Sequence, residues 1–225
     1  AGRAELHARV MSRYATPLRA YVLGSSLRSL DDPDALVNGF FVTRLGREGY
    51  LASWRTSGLA LRRWLVNGLL LHARERQREL RKAARDGATG AAPPTGGCGN
   101  CGCGSVCQGV GAADEEAALE PAAFEEFERA WARALLSDAC DVAQQELAAE
   151  GDGDAWEVFR RHNLDGLEYA DIALQLRIAP AEARTRSRRA SYRFERALRR
   201  LLADEGVAAD DLDDELAWLL EVSGR

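Results

Sequence analysis

The sequence predicts an all-α protein: two small helical domains joined by a flexible connection rich in glycine and cysteine. Three observations carry this. Apolar residues recur at three- and four-residue steps through most of the chain, and no stretch holds the two-residue alternation of a strand. One low-complexity break, DGATGAAPPTGGCGNCGCGSVCQGVGAA (86–113), interrupts that periodicity, and its glycine, alanine and proline leave no basis for a regular element. Charge is segregated beneath a net value of −5. Residues 55–86 hold nine Lys/Arg against three Asp/Glu, 177–200 hold nine against two, and 114–154 hold two against thirteen. With 46% hydrophobic and 29% charged residues in 225, the composition is that of a soluble globular protein. The length suits one large domain or two small ones.

Residues 4–23 place Leu6, Val10, Tyr14, Leu18, Tyr21 and Val22 on one helical face. SSLRSLDDP breaks it. Asp32 before Pro33 suits an N-cap followed by proline at the first helical position. The helix so started carries Leu36, Val37, Phe40, Phe41 and Leu45, and Gly46 and Gly49 end it. A longer helix is expected over 57–85, with Leu61, Trp64, Leu65, Leu69 and His72 on one side. Beyond the break, 122–149 reads as an acidic amphipathic helix with Phe124, Phe127, Trp131, Leu135 and Val142. GDGD (151–154) stops it. Short helices near 154–162 and 168–176, a long one over 180–203 and an acidic C-terminal helix complete the chain. The expected division is a first helical domain over 1–86, a linker over 87–121, a second domain over 122–203 and a tail over 204–225.

Several function classes find no support. There is no Ser/His/Asp order, no HExxH, and GGCGNCGCG follows no strand and lacks the lysine of a phosphate loop. His7, His72 and His162 are scattered, and His72 reads as packed on an apolar face, so the chain is not expected to be an enzyme. The longest apolar run, LVNGLLLHA (65–73), is too short to cross a bilayer and is flanked by arginines. With no secretory signal, a cytoplasmic protein without a membrane partner is expected. A few residues are expected to precede Ala1.

In that compartment clustered cysteines are reduced, metal-bound or redox-active rather than structural disulfides. Cys98, Cys101, Cys103 and Cys107 have the spacing C-x2-C-x-C-x3-C on a glycine-rich backbone. Four such thiolates suit tetrahedral Zn or Cu(I), a redox pair of disulfides, or an unliganded linker. No cofactor is required by anything else in the chain. Cys140, on the acidic helix, reads as a small buried residue.

Two basic blocks in an acidic chain are the electrostatic footprint of nucleic-acid contact. The second block lies in GLEYADIALQLRIAPAEARTRSRRASYRFERALRRLL (166–202). Ile172, Ala173 and Leu176 give a short helix an apolar face, RIAP turns with Ile178 inward, and Pro180 opens a basic helix. Ala183, Ala190, Phe194, Ala197 and Leu201 share one side of that helix. This is the helix-turn-helix plan, whose second helix enters a major groove. A plain helical hairpin with a solvated arginine face would share the pattern.

YADIALQLRIAPAEARTRSRR resembles region 4 of the extracytoplasmic-function sigma factors of bacterial RNA polymerase. PLRAYVLGSSL…DPDALVNGFFVTRL is similar to sigma regions 1.2 to 2.2, and LRRWLVNGLLLHARERQRE to regions 2.3 and 2.4. DDELAWLL is similar to the extended tail of one subgroup. The resemblance implies a region 2-like bundle reading the promoter −10 element and a region 4-like helix-turn-helix reading the −35 element. Its implied partners are core RNA polymerase and promoter DNA, with room for an anti-sigma factor. On the −35 side it points to Glu182, Arg184, Thr185, Arg186, Arg188 and Arg189. Arginine can pair with guanine O6 and N7, and Glu182 could accept from cytosine N4. On the −10 side it points to Arg62, Arg63, Trp64, Asn67, Arg74 and Arg78. Trp64 could stack on an unpaired base, or pack in the core as interior helical tryptophans commonly do.

Asp34, Asn38 and Phe41 are the implied polymerase-facing positions. There the family carries Asp, Gln and Glu where this chain has Ala35, Asn38 and Gly39, and Gly39 weakens a helix by about 1 kcal/mol relative to alanine. In the recognition helix, Ala183 and Glu182 stand where the family has an apolar valine and a small residue. The rival class is a helix-turn-helix regulator that uses its cysteines as a metal or redox sensor and binds duplex DNA without polymerase.

Overall fold

The computed structural model describes residues 3–88 and 119–223, and among these every regular element is helical. α1 (Arg3–Gly24) buries Val10, Tyr14, Leu18, Tyr21 and Val22, the face read from their spacing. After a 3-10 turn (Ser26–Ser29), α2 (Pro33–Phe40) starts at Asp32, whose carboxylate accepts from the backbone N–H of Asp34 and of Ala35 at 3.0 Å each. The chain runs on through Phe41–Leu45 in the wider π geometry, closed by the Gly46 N–H to Phe41 O bond at 2.9 Å.

The helix expected over 57–85 begins later, and a separate one precedes it. Gly49 (φ 84) and Gly58 (φ 71) are both left-handed, a conformation open to glycine at little cost. They isolate α3 (Tyr50–Arg55), which buries Leu51 and Trp54 at a three-residue step. α4 (Leu61–Ala88) then carries the first basic block.

α5 (Pro121–Ala149) lies along α1 in the most extensive helix pairing of the fold. α6 (Gly153–Asn163), α7 (Tyr169–Leu176) and α8 (Pro180–Asp204) follow, then a 3-10 turn (Ala209–Asp211) and α9 (Leu212–Ser223). The main core is continuous across both segments: Tyr14, Leu18, Phe40, Leu65 and Leu69 meet Phe127, Trp131, Leu135, Leu198, Leu202 and Leu219. The apolar interior therefore does not divide where the sequence divides. Two smaller clusters belong to the second segment alone. Ala143, Leu147, Trp156, Phe159 and Ala190 join α5, α6 and α8, while Val158, Ile172, Ala173 and Ala183 join α6, α7 and α8.

A buried polar network ties the segments. Glu205, just past α8, accepts from Arg13 Nη1 (2.6 Å), Tyr14 Oη (2.6 Å) and Trp131 Nε1 (2.9 Å). Arg13 Nε also donates to Asp138 at 2.6 Å. Every partner of the Glu205 carboxylate is a donor, so this buried charge is compensated as burial requires. Burial, and then the adjacent carboxylate, pushes the Tyr14 hydroxyl well above its ordinary pKa, so it stays a donor. No helix of the described residues is long and apolar enough to cross a membrane.

Candidate nucleic-acid interface

α7 and α8 are joined by a tight turn that points Ile178 inward, as the sequence suggests. Arg177 takes a left-handed conformation (φ 55), and the Ile178 N–H reaches back to Ala173 O at 3.0 Å. That turn tucks Ile178 against Ile172, Ala173 and Ala183. Ala183, Ser187 and Ala190 are all buried, and their small side chains let α6 and α7 approach α8 closely. Tyr169 spans the gap by donating to Ser187 Oγ at 3.1 Å and stacks on His162 at 3.8 Å between ring centroids.

Around α8 the arginines fall into two sectors. One faces the end of α5 and the start of α6, where carboxylates wait in register. Arg186 binds Glu182 (2.6 Å) and Asp154 (2.9 Å), Arg189 binds Asp152, Arg193 binds Glu150 (2.6 Å), and Arg200 binds Glu146 (2.9 Å). The other sector is open. Arg184, Arg188 and Arg196 are exposed and have no carboxylate partner among the described residues, as is Arg177 in the turn. Tyr192, 62% exposed, lies between Arg188 and Arg196 at the same four-residue step, so the four form one slowly winding row.

The residues expected on the −35 side are thus separated. Arg184 and Arg188 face solvent unpaired. Arg186 and Arg189 are held by acids, Glu182 is engaged with Arg186, and the Thr185 hydroxyl donates to Ala181 O at 3.0 Å within its own helix. Tyr192 and Arg196 join the open row although the motif did not single them out. Their only sequence signal is the four-residue step continued past Arg188.

The first basic block is covered in part. The Arg62 guanidinium lies 4.5 Å over the Trp131 ring and 5.6 Å from the Trp218 ring, with Glu215 at 2.7 Å and Glu128 at 3.8 Å. Arg63 sits 5.0 Å over Phe124. Arg63, Asn67, Arg74 and Arg78 share one face of α4 at four- and seven-residue steps, and Arg78 is exposed. Trp64 packs half-buried against the main core, 5.7 Å from Tyr50.

The positions expected to meet polymerase are also split. Asp34 and Asn38 are exposed on α2, Asp34 paired with Arg19 at 3.0 Å. Phe41 is 4% exposed and packs 5.6 Å from Phe40, so it supports this surface from beneath. Gly39 has a local reason: a Cβ there would lie 3.0 Å from His72 Nε2. Burial, and then Arg44, lowers the His72 pKa and favours its neutral form at this tight approach.

Cys98, Cys101, Cys103 and Cys107 lie outside the described residues, and with them the Zn or Cu(I) expectation. Cys140 is half-buried on α5, and burial, then Asp141, pushes its thiol pKa up, as for an inert packed cysteine. Comparison with protein families, curated proteins and solved structures finds no match to the chain.

Proposed function

We propose that this protein is a transcription initiation factor of the extracytoplasmic-function sigma type, selecting promoters for core RNA polymerase in the cytoplasm. The observation that carries the reading is the open row Arg184–Arg188–Tyr192–Arg196 on the second helix of a closely packed helix-turn-helix. An exposed cation without an internal partner is free to replace a phosphate counterion, the step that drives most DNA affinity. In this reading Arg184 and Arg188, nearest the helix N-terminus, reach base edges, where a bidentate contact to guanine discriminates by about 1–3 kcal/mol. The face bearing Arg63, Asn67, Arg74 and Arg78 is assigned to the second promoter element. The exposed part of α2 around Asp34 and Asn38 is assigned to the polymerase. No catalytic step belongs to the chain itself.

In vitro transcription with added core polymerase on a library of promoter fragments tests this. The expected result is new start sites that depend on the protein and vanish with Arg184→Ala together with Arg188→Ala. Tight duplex binding by the protein alone, with initiation never redirected, would instead establish the regulator reading.

A further inference from the structure

We propose that α9 and the facing part of α5 form an intramolecular stand-in for a nucleic-acid strand, occupying Arg62 and Arg63 and holding the first basic block shut. This rests on reading that block as a nucleic-acid site. A single strand offers an arginine two things: the π face of a base and the negative charge of a phosphate. Arg62 already has both from its own chain. Two indoles, Trp131 and Trp218, lie 6.1 Å apart between centroids and tilted by 36°, with the guanidinium near both faces. Two carboxylates, Glu215 and Glu128, supply the charge. Arg63 receives the Phe124 face in the same way. These partners leave the Arg62 and Glu215 side chains only 17% and 16% exposed.

The part of the cover carried by α9 is held to the body of the protein at two points. Leu219 is fully buried and anchors α9 in the main core, and Arg199 on α8 grips Asp213 at 2.7 Å. Yet every α9 group touching the basic block belongs to the last short helix of the described chain. Asn67, Arg74 and Arg78 continue along α4 from Arg63 of the covered pair, so a strand laid on that face would end against Trp218 and Glu215. Strand and α9 therefore compete for Arg62, and displacing α9 removes Glu215 and Trp218 from it.

The test uses the full chain, no polymerase, and a fluorescein-labelled single-stranded DNA of about 12 nucleotides, read by anisotropy. Glu215→Ala combined with Trp218→Ala is expected to bind about tenfold more tightly than the wild type. Adding Arg62→Ala and Arg63→Ala to that double variant is expected to remove the gain. Glu215→Gln keeps the shape and removes only the charge, so it guards against mere unfolding. It should gain about threefold, the share expected of removing one carboxylate from Arg62 while Glu128 and the indoles remain. The proposal is overturned if the double variant binds no more tightly, if the gain survives loss of Arg62 and Arg63, or if Glu215→Gln gains nothing. The initiation assay is independent. A chain that never redirects polymerase but shows these shifts keeps the stand-in and loses the sigma reading, and the converse result does the reverse.

Discussion

Arg188 and Arg189 are neighbours in sequence, yet they should differ sharply in their contribution to DNA binding. Residues 177–200 hold nine arginines. Five of them, Arg186, Arg189, Arg193, Arg199 and Arg200, have carboxylate partners, which leaves four: Arg177, Arg184, Arg188 and Arg196. Each phosphate neutralised contributes about −0.9 to the slope of log K against log salt, so four open arginines give at most roughly −3.6. Arg188→Ala should flatten the slope to roughly −2.7, which is a loss of about 3.5-fold in the salt penalty between 50 and 200 mM. Arg189→Ala should leave the slope where it was, because Asp152 already balances that charge. The converse change, Asp152→Asn, should release Arg189 and steepen the slope by about 0.9. Anisotropy titrations of a labelled duplex at several salt concentrations measure all three. Equal flattening by Arg188→Ala and Arg189→Ala would refute the division of α8 into open and held sectors. The ion pairs concerned are exposed and contribute about 0–1 kcal/mol each, so none of these changes should unfold the protein.

Three further outcomes test the fold beneath the site. A Cβ at Gly68 would meet Tyr50 Oη at 2.0 Å, and that hydroxyl is buried with no hydrogen-bond partner among the described residues. Gly68→Ala should cost about 1–3 kcal/mol in urea midpoints and clearly less in a Tyr50→Phe background, where the hydroxyl is gone and Phe40 Cε2 at 3.0 Å is the tightest remaining neighbour; equal costs in both backgrounds would contradict the packing. Glu205→Gln leaves Arg13 buried with Asp138 as its only remaining carboxylate, and should destabilise by about 3 kcal/mol on thermal or urea unfolding. His72 has a lowered pKa, so the folded state binds fewer protons there than the unfolded chain. Its contribution is then full above about pH 6.5 and is lost as pH falls through the lower folded value. The wild type should lose more stability than His72→Gln over that fall, and parallel losses would remove His72 as the cause.

Local physics was legible in the sequence and distant pairing was not. The Asp32–Pro33 start, the buried face of α1 and the inward turn at Ile178 depend on neighbours a few residues away, and each stands as its spacing implied. α3 escaped because a six-residue helix between two glycines has too few apolar positions to show a period. The pairing of α1 with α5 spans residues 89–118, and nothing in the periodicity of either helix says which partner its apolar stripe will meet. The same limit applies to the site. Arginine content marked both basic blocks, but whether a given arginine is open depends on carboxylates far away in sequence. Arg62 and Glu215 are 153 residues apart, and Arg189 and Asp152 are 37 apart.

The acidic segments also acquire a role that composition alone left open. As sequence, 114–154 and the tail from Asp204 are surfaces that avoid a duplex or meet another protein. In the fold, the carboxylates of Glu146, Glu150, Asp152 and Asp154 line up against α8, and Glu215 and Glu128 against Arg62. The acid is an internal counterion for the base. This resolves a physical difficulty in a chain with two arginine-rich helices and a net charge of −5. Eight cations on one helix would repel one another and would bind any polyanion indiscriminately. Pairing five of them internally relieves the repulsion and leaves a narrow open row whose contacts can depend on sequence. At the first block the same chemistry goes further, since aromatic faces accompany the carboxylates around Arg62 and Arg63. The two blocks thus differ in kind: on α8 the acids trim a basic face that stays open, and on α4 acids and aromatic rings cover Arg62 and Arg63.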